Sequence, residues 1–177
     1  NKFDKIDDQH YQGTVLILDD QAANRDLLDR HVQQLGLSTI VCENAQVAFD
    51  ALKKQNVDLI LLDLVMPDIS GHEVLARLKN SSTWRAIPVI VISGLGEQSE
   101  VIRCIEAGAE DYLQKPFNRT LLQARLRAGL ERKKWVDTER QLRKEIEKNH
   151  RFIKNTFGRY LSTEIVNKLL DKPDGLD

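Results

Sequence analysis

Five residues of this chain could share chemistry if the fold brought them together. They are the consecutive acids Asp19 and Asp20, the acid Asp63, the hydroxyl of Ser93 and the ammonium of Lys115. Each stands at or just past the end of an apolar run. Asp19 and Asp20 close TVLILDD (Thr14 to Asp20), Asp63 closes VDLILLD, Ser93 closes IPVIVIS (Ile87 to Ser93), and Lys115 follows DYLQ. Three carboxylates a few ångströms apart cannot all stay ionised without compensation. A divalent cation and the Lys115 ammonium are the two compensations on offer. Carboxylate oxygens are hard ligands that suit Mg²⁺, which keeps room in its shell for phosphate oxygens. An acidic metal site beside an ammonium and a hydroxyl meets the needs of phosphoryl transfer to a carboxylate. One acid is then the nucleophile, while the cation and the donors hold charge on the equatorial oxygens. Taken singly, the same residues have plainer readings: Asp19–Asp20 as helix caps, Ser93 as a turn residue, Lys115 as a solvated charge.

The elements that would position these groups are legible in the periodicity. VLIL, LILL and VIVI are apolar without alternation, which marks strands buried on both faces, as in a parallel sheet between helices. Between them lie segments of helical spacing. AANRDLLDRHVQQLG carries Leu27, Leu28, Val32 and Leu35 and closes on Gly36. AQVAFDALKKQ follows a capping Asn44, and GHEVLARLKN puts Val74, Leu75 and Leu78 on one face. SEVIRCIEAGA ends at Gly108, and NRTLLQARLRAGL starts on Asn118. With the short strands STIVCE and DYLQKPF, this is βα repeated five times. Right-handed crossovers make it a doubly wound α/β domain with a five-stranded parallel sheet. Its functional crevice is expected outside the carboxyl ends of the strands, near the topological switch point.

Bulk composition narrows the partners. The 177 residues are 41% hydrophobic and 30% charged with a net charge of −1, so no global field argues for nucleic acid or a membrane. No stretch reaches the ~20 apolar residues of a membrane span, and the opening residues do not read as a signal peptide, so none is expected. Cys42 and Cys104 lie far apart with no C-x-x-C, and read as buried thiols of a cytoplasmic protein. The first twelve residues, NKFDKIDDQHYQ, read as a flexible polar tail. Residues 118–157 hold one glycine, Gly129, no proline, and dense Arg, Lys, Glu and Leu, the composition of one long helix.

LDD after the first strand, DLVMPDISG after the third, VIS ending the fourth and YLQKPF at the fifth together resemble the receiver domain of two-component response regulators. The resemblance covers residues 13–130 and implies a flavodoxin-like fold. By position it implies that Asp63 is the phosphoacceptor and that Asp19 and Asp20 hold Mg²⁺ together with Asp63 and the main-chain carbonyl of Val65. It implies further that Ser93 is the switch hydroxyl, Lys115 the phosphate partner, Tyr112 the rotating aromatic, and the Lys115–Pro116 bond cis. The expected phosphoryl donor is a sensor histidine kinase or a phosphotransfer protein.

Beyond this domain, residues 131–157 carry a seven-residue repeat. Trp135, Leu142 and Asn149 fall on one position and Ile146, Ile153 and Tyr160 on its complement, while Arg125, Arg132 and Glu139 interrupt the stripe. This predicts a parallel dimeric coiled coil whose polar interruptions weaken it and help fix register. In residues 158–177 and the phenylalanine before them, Phe157-Gly158-Arg159-Tyr160 and STEIVNKLL (Ser162 to Leu170) resemble the segment that precedes the catalytic domain of bacterial class III adenylate/guanylate cyclases. The expectation is an input module, itself no enzyme, that drives a nucleotidyl cyclase beyond this chain. A stand-alone phosphorelay receiver, or one driving a diguanylate cyclase or phosphatase, is the alternative. A DNA-binding output is disfavoured because the C-terminal part is short, mixed in charge and lacks a helix-turn-helix.

Overall fold

The computed structural model describes residues 11–94, 96–158 and 163–171. Most of the expected tail, Leu95, Tyr160 and Ser162 lie outside these residues. Five strands form one parallel sheet: β1 (Thr14–Leu18), β2 (Ser38–Cys42), β3 (Leu59–Asp63), β4 (Val89–Ser93) and β5 (Asp111–Gln114). Their order is β2-β1-β3-β4-β5. The chain winds one way from β1 to β2 and the other way from β3 onward, so the switch point lies between β1 and β3. Register pairs Leu18 with Leu62 and Asp63 with Ile92.

Alternate residues of the apolar runs enter two separate cores. Leu16, Leu18, Ile60, Leu62, Val89 and Val91 pack under α2 (Ala45–Lys54), α3 (Gly71–Asn80) and α4 (Gln98–Glu106). Val15, Ile17, Leu59, Leu61, Ile90 and Ile92 pack under α1 (Ala22–Gln33) and the start of α5 (Arg119–Phe157). Burial on both faces is what unbroken apolar strands require. Asn44 caps α2 by accepting the Val47 N–H at 2.9 Å, and Asn118 accepts the Thr120 N–H at 2.7 Å to start α5.

Several strands are shorter than expected. β1 stops at Leu18, leaving Asp19 and Asp20 in the loop beyond it. β4 starts at Val89 rather than Ile87, because Pro88 has no N–H to donate; its carbonyl still accepts from the Ile60 N–H at 3.0 Å. β5 ends at Gln114, though the Lys115 N–H continues the ladder to the Ser93 carbonyl at 2.7 Å.

The chain divides into two compact units, residues 1–133 and 134–177. The first holds the sheet. There Glu110 pairs with Arg132, and Asp111 with Arg125, whose guanidinium also lies 5.8 Å from the centre of the Tyr112 ring. The second holds the remainder of α5 and the helix α6 (Thr163–Asp171). Trp135, Leu142, Ile146, Phe152 and Ile153 on this part of α5 are exposed, as is Asn149. Among the described residues no helix is long and apolar enough to cross a membrane.

Candidate phosphoryl-transfer site

The loop after β1 and the last residue of β3 bring Asp19, Asp20 and Asp63 together at the switch point. One oxygen from each lies within 4.8 Å of the others. Asp19 and Asp63 are buried, and Asp20 is the least buried of the three. Neither Asp19 nor Asp20 caps α1: the N-cap position is Gln21, which makes no side-chain capping bond. Asp19 is fixed instead by hydrogen bonds of both its backbone and its side chain. Its N–H donates to the Cys42 carbonyl at 3.2 Å, its carbonyl accepts from Arg25 at 2.8 Å, and its Oδ1 accepts the Gln21 N–H at 2.8 Å.

Lys115 reaches in from the end of β5. Its Nζ is 3.2 Å from Asp63 Oδ1 and 3.6 Å from Asp19 Oδ2. The Lys115–Pro116 bond is cis. Asp63 Oδ1 also accepts a long hydrogen bond, 3.4 Å, from the Val65 N–H. Burial, and then the charge of Asp19, push the Asp63 carboxyl above its usual range, and Lys115 only partly opposes them.

One buried oxygen on each acid, Asp19 Oδ2, Asp20 Oδ1 and Asp63 Oδ2, has no hydrogen-bond partner. Buried acceptors are seldom left so, and three acids that each offer an oxygen within 4.8 Å of the others suit a hard divalent cation. The donor set therefore fits Mg²⁺.

Ser93 is buried at the end of β4, one residue beyond the strand partner of Asp63. Val65 and Tyr112 are exposed, Tyr112 beside Arg125 and outside the acidic cluster. Sequence reasoning missed two supports. Gly71 starts α3 directly against the loop that follows Asp63: its N–H donates to the Leu64 carbonyl at 3.0 Å. A Cβ there would lie 2.6 Å from the Asp63 carbonyl oxygen and 2.7 Å from Leu64 Cα. Glu97 accepts the Gly94 N–H at 2.7 Å just past Ser93. The Ser-Gly pair opening a helix hinted at the first; a lone glutamate in a loop gave no signal for the second.

A five-stranded parallel sheet carrying an acidic triad and a lysine at its switch point defines a flavodoxin-like regulatory domain. The chain belongs to the response regulator receiver domain family, which it matches over residues 15–127. It is 38% identical over 126 residues to the phosphate regulon transcriptional regulatory protein PhoB of Pseudomonas aeruginosa, covering 71% of this chain and 55% of that protein. It is 41% identical over 118 residues to the KDP operon transcriptional regulatory protein KdpE of Escherichia coli, covering 67% and 51%. The chain thus spans about half the length of these curated relatives. The receiver domain of NtrX from Brucella abortus superposes with a TM-score of 0.63 at 28% identity, covering 66% of this chain and 98% of that one. The receiver domain of the Francisella response regulator 1452 gives 0.62 at 28%, covering 68% and 98%. The chain therefore contains the receiver domain of a two-component response regulator.

Proposed function

We propose that Asp63 accepts a phosphoryl group from a phosphohistidine of a sensor kinase or phosphotransfer protein. The observation that carries this is a buried carboxylate with one oxygen 3.2 Å from Lys115 Nζ and the other unpaired among two further acids. An oxygen of Asp63 forms the new P–O bond as the P–N bond of the donor breaks, its electron pair staying on the imidazole nitrogen. Lys115 and the Ser93 hydroxyl hold the phosphoryl oxygens. Asp19, Asp20, Asp63 and the Val65 carbonyl would hold Mg²⁺, which when bound offsets the charge gathered on the transferring group. Acetyl phosphate with Mg²⁺ should label the wild type and not Asp63→Asn, and Asp20→Ala should lose the Mg²⁺ dependence with most of the reaction. Label incorporated undiminished in Asp63→Asn would overturn the assignment.

The state of the site is read out, in this proposal, through a parallel homodimer of α5 built on Trp135, Leu142, Ile146, Asn149 and Ile153. The exposure of this stripe supports it. The output is a class III nucleotidyl cyclase, on the resemblance of residues 157–170. A transcriptional output is the second reading, favoured by the names of the relatives. Truncation after Lys133 should give a monomer, or a far weaker dimer, in sedimentation at micromolar concentration. A truncated domain that dimerises equally well would remove the stem from the interface.

A further inference from the structure

The loop from Ser93 to Glu97 contains a carboxylate with an unusual target. Glu97 occupies the N-cap position of α4, yet its side chain makes no capping bond there. It turns back three residues and accepts the Gly94 N–H at 2.7 Å.

The direction of that N–H follows from the sheet. The Ser93 carbonyl accepts from the Lys115 N–H, so it points towards β5. Across a trans peptide the N–H points the opposite way. The Gly94 N–H therefore points to the β3 side of β4, the side on which Asp63 ends its strand. The Ile92 carbonyl agrees, pointing to that side to accept the Leu64 N–H at 3.0 Å. The ladder ends there: the next acceptor on the β3 chain, the Leu64 carbonyl, is taken by the Gly71 N–H at 3.0 Å. Gly94 is thus a main-chain donor left over at the mouth of the site, and Glu97 supplies the anion that fills it.

We propose that Glu97 is a resident competitor of the phosphoryl group, a positioning residue that holds the Gly94 N–H while Asp63 is unmodified and must yield it on modification. The inference rests on Asp63 being the phosphoacceptor. A phosphoryl group on Asp63 brings a charge of about −1.5 to −2 and acceptor oxygens that need donors. The Val65 N–H is loosely held at 3.4 Å by Asp63 itself, and the Gly94 N–H is the second donor at that edge. Glu97 and a phosphoryl oxygen cannot share it, because like charges at that distance repel. Gly96, next to Glu97, has φ +90°, and nothing lies within 4 Å of where a Cβ on it would stand. The freed carboxylate then lies at the N-terminus of α4, where the helix dipole favours an anion. Unmodified and modified states would thus place one negative charge at two ends of a single turn.

Beryllofluoride with Mg²⁺ on the full chain is the probe. Glu97→Gln keeps the length and the acceptor but removes the charge; Glu97→Ala removes both. Beryllofluoride affinity is read by ¹⁹F NMR, the Gly94 amide by its ¹⁵N shift, and Mg²⁺ affinity alone reports that the acidic cluster is intact. Glu97→Ala is expected to bind beryllofluoride about tenfold more tightly, in keeping with a hydrogen bond to a charged group. Glu97→Gln should fall between, with Mg²⁺ affinity unchanged in both. Unchanged or weaker beryllofluoride binding in both variants would overturn the inference and assign Glu97 to loop closure alone. If the wild type and Asp63→Asn give the same ¹⁹F spectrum, Asp63 is not the acceptor and the inference falls with that reading.

Discussion

Ionised Asp63 sits in a place that favours its neutral form. Burial and Asp19 raise its pKa in the folded chain, and the unfolded chain has no such effect. A carboxyl with a raised folded pKa contributes stability that is fully present below its unfolded pKa and is lost as pH rises through the folded one. At neutral pH the ionised group is therefore a standing cost. Asp63→Asn, which keeps the shape and removes the charge, should raise the melting temperature at pH 7 by a few degrees, a size typical of such a domain. The gain should vanish at a pH below the ordinary carboxylate range and shrink when Mg²⁺ is added to the wild type. A lower melting temperature for Asp63→Asn at pH 7 would contradict this. Under the proposed phosphoacceptor role of Asp63, Val65, two residues on, bears on the lifetime of the modified state. It is exposed and apolar, so it offers no group to orient a hydrolytic water over the Asp63 phosphoryl bond. Val65→Asn should shorten the life of the phosphoryl protein about tenfold, which needs only ~1.4 kcal/mol of transition-state stabilisation. Decay of radiolabel after removal of the donor measures it, and an unchanged half-life would refute it.

At the scale of elements, the sequence announced its central strands more clearly than its edges. The runs of β1, β3 and β4 are buried on both faces, and no polar residue breaks them. β2 and β5 lie at the sheet edges with mixed burial, so their short apolar content only hinted at strands. Asp19, Asp20, Asp63, Ser93 and Lys115 were legible because strand ends in a parallel sheet share one edge. Close backbone approaches were not, since they depend on how a helix docks. Gly71 is the main case. A methyl there would meet backbone rather than a yielding side chain. Gly71→Ala should destabilise the domain by about 1–3 kcal/mol, as overpacking does. It should also slow labelling of Asp63, whose carbonyl must shift. Melting curves and acetyl phosphate kinetics would show both effects, and a variant with normal stability would refute the reading. Arg125 and Arg132 gave a second lesson. In sequence they are polar breaks in a repeat; in the structure they pair with Asp111 and Glu110 beside β5. A seven-residue pattern cannot reveal that partners on the same chain already engage two of its positions.

At the scale of the whole molecule, the two native cysteines offer something that neither the site nor the stem does. Cys42 and Cys104 are free and fully buried in the same packed layer beneath α2, α3 and α4, and burial pushes each thiol up to about 11. The thiolate is the reactive form, so neither reacts while that layer stays shut. The unmutated chain therefore carries its own stopwatch for opening. Ellman's reagent should find almost no thiol in the native protein and two after denaturation, and the slow native rate should track the fraction of time the layer is open. Anything that binds only the closed form must slow the count. Saturating Mg²⁺ should lengthen the reaction by the factor that its binding adds to stability, and beryllofluoride should lengthen it further. A rate indifferent to both would mean that this layer opens without disturbing the acidic cluster above the strand ends.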